Sequence, residues 1–115
     1  EAVAAARKDG RPVFVDFTAD WCPTCKVNKA IAVEIDDVRK KLREINAVAL
    51  IADNTLSPQS IALELRRYGR AGVPLNLVYP AEAGAEPIVL PTALTRGIVL
   101  EALGKVAALP KTSLK

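Results

Sequence analysis

The chain has no histidine, no methionine and only two cysteines among its 115 residues. Those gaps exclude the usual four-ligand zinc centre within one chain, because zinc sites in soluble proteins draw chiefly on cysteine and histidine; no metal site is expected. Aromatic residues are scarce too, with two tyrosines, two phenylalanines and one tryptophan to serve as stacking platforms. The densest cationic cluster, Arg39, Lys40, Lys41 and Arg43, has none interleaved with it. On a helix Val38, Leu42 and Ile45 would share one face and leave those cations in water, so the cluster reads as a solvated face and no nucleic-acid partner is expected. The longest uninterrupted apolar run, residues 47–52, is far too short to cross a bilayer, and residues 1–9 lack the order of a secretory signal. With a modest net charge of +3, the chain is expected to be one soluble domain, residues 1–115, that buries its own core. It opens on Glu1, without methionine and already in a helical pattern, and is expected to be a piece of a longer protein.

What is present is concentrated in Trp21-Cys22-Pro23-Thr24-Cys25-Lys26, which holds both cysteines one helical turn apart. An apolar run, residues 12–18, leads directly into it. If Cys22 is the N-cap and Pro23 the first helical residue, where a missing N–H costs nothing, the free amides of Thr24 and Cys25 point back at the Cys22 sulfur. Those amides and the positive end of the helix dipole favour a thiolate, so Cys22 is expected to be the nucleophile. Cys25, further in, is expected to stay protonated until a mixed disulfide forms on Cys22, then to resolve it. A purely structural disulfide is the weaker reading, since so short a loop barely constrains the unfolded chain. Two buried, inert cysteines are a further alternative.

Coarse periodicity gives helix, strand, helix, strand, helix, strand, strand, helix. After a first helix come a strand over residues 12–18, a helix from Pro23 to about Ala32 carrying the cysteines, a helical segment over 37–45 and a strand over 47–52. Ser57 and Pro58 read as an N-cap and first helical residue, with Ile61, Leu65 and Tyr68 on one face and Gly69 stopping the helix. Strands over 74–79 and 86–90 form a hairpin around the turn-rich residues 80–85, and Thr95 caps a last helix whose Val99, Leu103 and Val106 face the core. The order predicts an α/β fold with a four-stranded mixed sheet covered by helices on both faces.

Residues 15–26, Val-Asp-Phe-Thr-Ala-Asp-Trp-Cys-Pro-Thr-Cys-Lys, closely resemble the signature of the thioredoxin superfamily. More narrowly, with Ala52-Asp53, Gly72-Val-Pro-Leu75 and Leu94-Thr-Arg-Gly-Ile-Val-Leu100, the chain resembles the C-terminal thioredoxin-like domains of the DsbD and ScsB family of membrane thiol:disulfide interchange proteins. The likeness covers about residues 10–108. It implies a thioredoxin fold and a catalytic set of Cys22, Cys25 and Asp16. Asp16 matches a buried acid whose carboxyl, raised in pKa by burial, takes the proton from Cys25; a solvated strand-end residue is the alternative. The resemblance also implies that Pro74 is a cis-proline facing the disulfide and that Val73 before it offers its backbone to an extended partner. Trp21, Pro23 and Thr24 complete the implied partner-binding surface, although Trp21 also reads as ordinary packing.

The chain departs from its relatives as well. Where some carry an acid four residues after the second cysteine, Lys29 stands here beside Asn28, and apolar Ala49 stands where thioredoxins carry a strand lysine. The implied function is a reducing relay without a cofactor beyond the Cys22–Cys25 disulfide. The implied setting is a monomeric periplasmic domain of an inner-membrane protein. Its implied electron donor is the transmembrane domain of the same protein, and its implied acceptor a periplasmic thioredoxin-like domain or protein. Pro-Thr between the cysteines supplies no charge to stabilise a thiolate, which leans toward reduction. Two alternatives remain: a free-standing thioredoxin-like reductase, oxidase or isomerase, and a redox-inert module that only holds a peptide near Val73 and Pro74.

Overall fold

The computed structural model describes residues 2–56 and 58–108. Helix α1 (Ala2–Lys8) precedes strand β1 (Val13–Thr18), and α2 (Pro23–Asn28) runs on into a π-helical segment, Lys29–Val33. Helix α3 (Asp36–Glu44), strand β2 (Val48–Asp53) and helix α4 (Gln59–Arg67) follow. Strands β3 (Leu75–Tyr79) and β4 (Ile88–Val89) and helix α5 (Arg96–Ala108) complete the order.

The sheet runs β2-β1-β3-β4, with β1 parallel to β2 and antiparallel to β3, and β3 antiparallel to β4. This is the expected α/β architecture of a four-stranded mixed sheet with helices on both faces. Every residue of β1 is buried, as befits a central strand covered on each side. Val13, Val15 and Phe17 pack with Ala6 of α1 and Leu65 of α4, whereas Phe14 packs with Ala32, Val38 and the α5 residues Val99, Leu103 and Val106. Alternation puts Asp16 on the Phe14 face of β1, the face that carries the cysteine helix.

Three boundaries differ from the sequence reading. The helix expected from Pro23 to about Ala32 changes to π-helical winding at Lys29, which shifts every side chain beyond that point relative to a continuous α-helix. Pro58 is the N-cap of α4, in an extended conformation (ψ 147°), and not its first helical residue; its carbonyl accepts from the amides of Ile61 and Ala62. The expected capping residue Ser57 lies outside the described residues. Strand β4 is shorter than the five residues expected, because Pro87 and Pro91 flank it and neither has an amide to donate to the ladder.

The remaining caps follow the sequence. Gly69, at φ +75°, lets the chain turn back after α4, so that its amide donates to Arg66 O and that of Arg70 to Leu65 O. Thr95 Oγ1 accepts from the amide of Ile98 at 3.1 Å and opens α5.

Candidate active site

The site begins where β1 ends. The chain leaves Thr18, turns through Ala19 to Trp21 with the Cys22 amide donating to Ala19 O (3.2 Å), and enters α2 at Pro23. Cys22 is the N-cap, with extended backbone angles, and Pro23 occupies the first turn, where it lacks nothing the helix could use. The amide of Cys25 donates to Cys22 Sγ at 3.1 Å, so a backbone dipole is aimed at the sulfur that would carry thiolate charge. Cys22 and Cys25 are joined in a disulfide with their Cα atoms 5.3 Å apart. Cys25 is the more deeply buried of the two, at 2% exposure against 5%.

Val73 packs against the small cluster formed by Ala19, Cys22 and Cys25. The Val73–Pro74 peptide bond is cis, as the resemblance implied. Two elements far apart in sequence, the start of α2 and the entry to β3, thus meet at the disulfide. Pro23 and Thr24 are exposed beside it, and Trp21 is 56% exposed on its flank. Trp21 is nevertheless held: its indole Nε1 donates to Thr55 O at 3.0 Å, while Thr55 Oγ1 accepts from the Asp20 amide at 2.9 Å. Asp53 Oδ1 in turn accepts from both the amide and the hydroxyl of Thr55, which holds the Asp53 carboxyl below its ordinary value. Sequence reading missed this Asp53–Thr55 turn; an aspartate two residues before a threonine at a strand end was its only signal.

Asp16 is buried in β1, and burial pushes its carboxyl above the ordinary carboxylate range. Three neighbours modulate that rise. Asn76 Nδ2 donates to Asp16 Oδ1 at 2.9 Å and Lys29 contributes a positive charge, both favouring the carboxylate, whereas Glu34 opposes it. Asp16 also lines a cavity of about 160 Å³ bounded by Phe14, Val33, Glu34, Arg39 and Ile51 among others. Ile51 is the β2 residue paired with Asp16, and Ala49 pairs with Phe14, so β2 brings no cation to the acid. Lys29, one helical turn beyond Cys25, supplies it and also acts on Asp53. Asn76 and Asn28 were not singled out in sequence. Asn28, buried in α2, donates to Thr92 O and accepts from the Leu94 amide, which ties the cysteine helix to the segment before α5.

A helix start that aims a backbone amide at one sulfur of a disulfide suits thiol–disulfide exchange. With the mixed sheet beneath and the Val73–Pro74 turn opposite, it defines a thioredoxin-fold thiol:disulfide oxidoreductase domain. The thioredoxin-like family model matches residues 1–81, and the chain belongs to that family. It is 35% identical over 88 residues to the thiol:disulfide interchange protein DsbD of Ralstonia nicotianae, covering 76% of this chain and 14% of that protein. The DsbD of Klebsiella pneumoniae is 38% identical over 80 residues, 69% of this chain and 13% of the relative. The chain therefore spans about one seventh of the curated relatives it matches. Among solved structures, a thioredoxin from Thermus thermophilus superposes with a TM-score of 0.73 at 28% identity, covering 93% of this chain and 82% of that one. The reduced C-terminal domain of Neisseria meningitidis DsbD gives a TM-score of 0.70 at 22% identity over 89% and 87% of the two chains, a likeness of fold.

Proposed function

We propose that this domain is the reducing relay of a larger, DsbD-like membrane protein, facing the periplasm and passing electrons to thioredoxin-like proteins or domains there. The observation that carries the chemistry is the 3.1 Å bond from the Cys25 amide to Cys22 Sγ at the N-terminus of the helix that holds the disulfide. The DsbD relatives support the setting. Among the described residues no helix is long and apolar enough to cross a membrane, so membrane attachment would come from elsewhere in the protein.

In the proposed cycle the Cys22 thiolate attacks one sulfur of the acceptor disulfide, forming a mixed disulfide and releasing the other acceptor sulfur as a thiolate. Cys25 then loses its proton to Asp16, whose carboxylate burial has made more basic than an ordinary one, and attacks Cys22 Sγ. The second acceptor thiolate leaves, the Cys22–Cys25 disulfide forms, and two electrons have moved to the acceptor. A dithiol donor, proposed to be the transmembrane domain of the same protein, reverses these steps. The cysteines themselves carry the electrons, with no further cofactor. Trp21, Pro23, Thr24, Val73 and Pro74 form the surface on which the acceptor docks.

The test is made in cells producing the full-length protein with Cys22→Ser. Thiol alkylation should show periplasmic thioredoxin-like proteins accumulating in the oxidised form. Acceptors that stay as reduced as in the wild type would contradict the relay.

A further inference from the structure

The segment that meets the disulfide is held from behind by one side chain. Arg70, half-buried just beyond α4, donates from Nη1 to Pro74 O and from Nη2 to Leu90 O, each at 3.0 Å. None of the three ion pairs among the described residues includes it, and both of these bonds go to main-chain carbonyls. The first closes residues 70–74 into a ring whose fourth member, Val73, packs on Ala19, Cys22 and Cys25. The second ties that ring to the end of β4. There the ladder stops: the Leu90 amide donates to Asn76 O at 3.0 Å, and the next residue, Pro91, has no amide with which to continue. The planar fork of Arg70 takes over where the ladder lapses, and its two donors span two strands at a fixed spacing. The Arg70 amide is itself bonded to Leu65 O, so the fork is anchored to α4.

We propose that Arg70 is a positioning residue for polypeptide substrates, holding the Val73–Pro74 backbone where an extended chain must lie as its disulfide meets Cys22. This rests on the oxidoreductase reading above. An extended polypeptide depends on that backbone for alignment, whereas a small disulfide reaches Cys22 without it, so loss of the fork should separate the two classes of substrate.

Two probes with a common leaving group make the comparison: 5,5′-dithiobis(2-nitrobenzoate), and an unstructured peptide whose single cysteine carries 2-nitro-5-thiobenzoate in mixed disulfide. The protein is first reduced by dithiothreitol, which is oxidised to its cyclic disulfide and then removed; in each case the Cys22 thiolate attacks the S–S bond, thionitrobenzoate leaves with the electron pair, and Cys25 then displaces the group left on Cys22. The variants are Arg70→Lys, which keeps a cation but cannot bridge both carbonyls, and Arg70→Gln. In variants whose circular dichroism matches the wild type, the second-order rate constant of the reduced protein for the peptide should fall about tenfold or more while that for the small disulfide changes by less than about twofold. The reduction potential of the cysteine pair should be unchanged. Parallel loss on both probes, or loss on neither, overturns the proposal. A wild-type chain that reduces neither probe overturns the oxidoreductase reading, and this one with it.

Discussion

Asn76 Nδ2 donates a hydrogen bond to Asp16 Oδ1 across 2.9 Å, joining two buried polar side chains at opposed positions of β1 and β3. The bond favours the carboxylate, yet burial outweighs it and leaves Asp16 with a raised pKa. An acid whose folded-state pKa lies above its unfolded value binds more protons folded than unfolded between those two values. Stability therefore falls as pH rises from the ordinary value of 3.8 through the folded pKa and is level above it. Asp16→Asn removes that loss and keeps an acceptor for Asn76. The variant should melt higher than the wild type at pH 8, with the gap shrinking below pH 4. The same variant should slow disulfide exchange at pH 7. Thermal unfolding at the two pH values checks the first point, and equal melting temperatures throughout would refute it.

Lys29 replaces by position a cation that β2 does not provide. The charged groups bearing on Asp16 are Lys29 in the winding after α2 and Glu34 at its end; Arg39 of α3 lines the same cavity, β2 contributes apolar Ala49 and Ile51, and β3 contributes Asn76. Because Lys29 favours the carboxylate, Lys29→Gln should raise the Asp16 pKa and Lys29→Glu should raise it further. The check is the carboxyl carbon resonance of Asp16, followed by NMR through a pH titration of the oxidised protein. A midpoint unmoved in Lys29→Glu would mean that the ammonium does not reach the acid.

Much of this was legible in sequence, for identifiable reasons. Cys22 and Cys25 announce themselves by spacing and by Pro23 between them, and the Val13–Thr18 strand by its apolar run. The winding change at Lys29 leaves no mark in an apolar pattern, because Val27, Ala30 and Ile31 suit an α-helix and a π-helix equally. Buried polar residues are harder still. Asn76 and Asn28 look like any surface asparagine until the fold supplies Asp16 opposite one and Thr92 and Leu94 opposite the other. Asn76 did carry a signal, as the lone polar residue within Leu75–Tyr79, in a register position that only the pairing of β1 with β3 reveals. Arg70 was invisible, since its partners are carbonyls, which every residue has.

Asn28 should matter for stability more than its surface-like identity suggests. Asn28→Ala deletes its bonds to Thr92 O (2.9 Å) and from the Leu94 amide (3.0 Å), leaving that buried amide without an acceptor. The expected cost is about 1–3 kcal/mol in urea unfolding, with the midpoint lowered and the slope retained. A midpoint equal to that of the wild type would show that the tie between α2 and the α5 entry is dispensable.

The Cys22–Cys25 couple carries the proposed relay, and its equilibrium reduction potential is the most direct test. The chain is equilibrated in graded redox buffers and its thiols are counted by alkylation. A reducing relay predicts a value near that of thioredoxin, about −270 mV, or somewhat above it, where each 30 mV moves the two-electron equilibrium by about 1.4 kcal/mol. A value near about −120 mV would make the domain an oxidant and contradict the relay, and a pair that does not cycle at all would contradict the oxidoreductase itself.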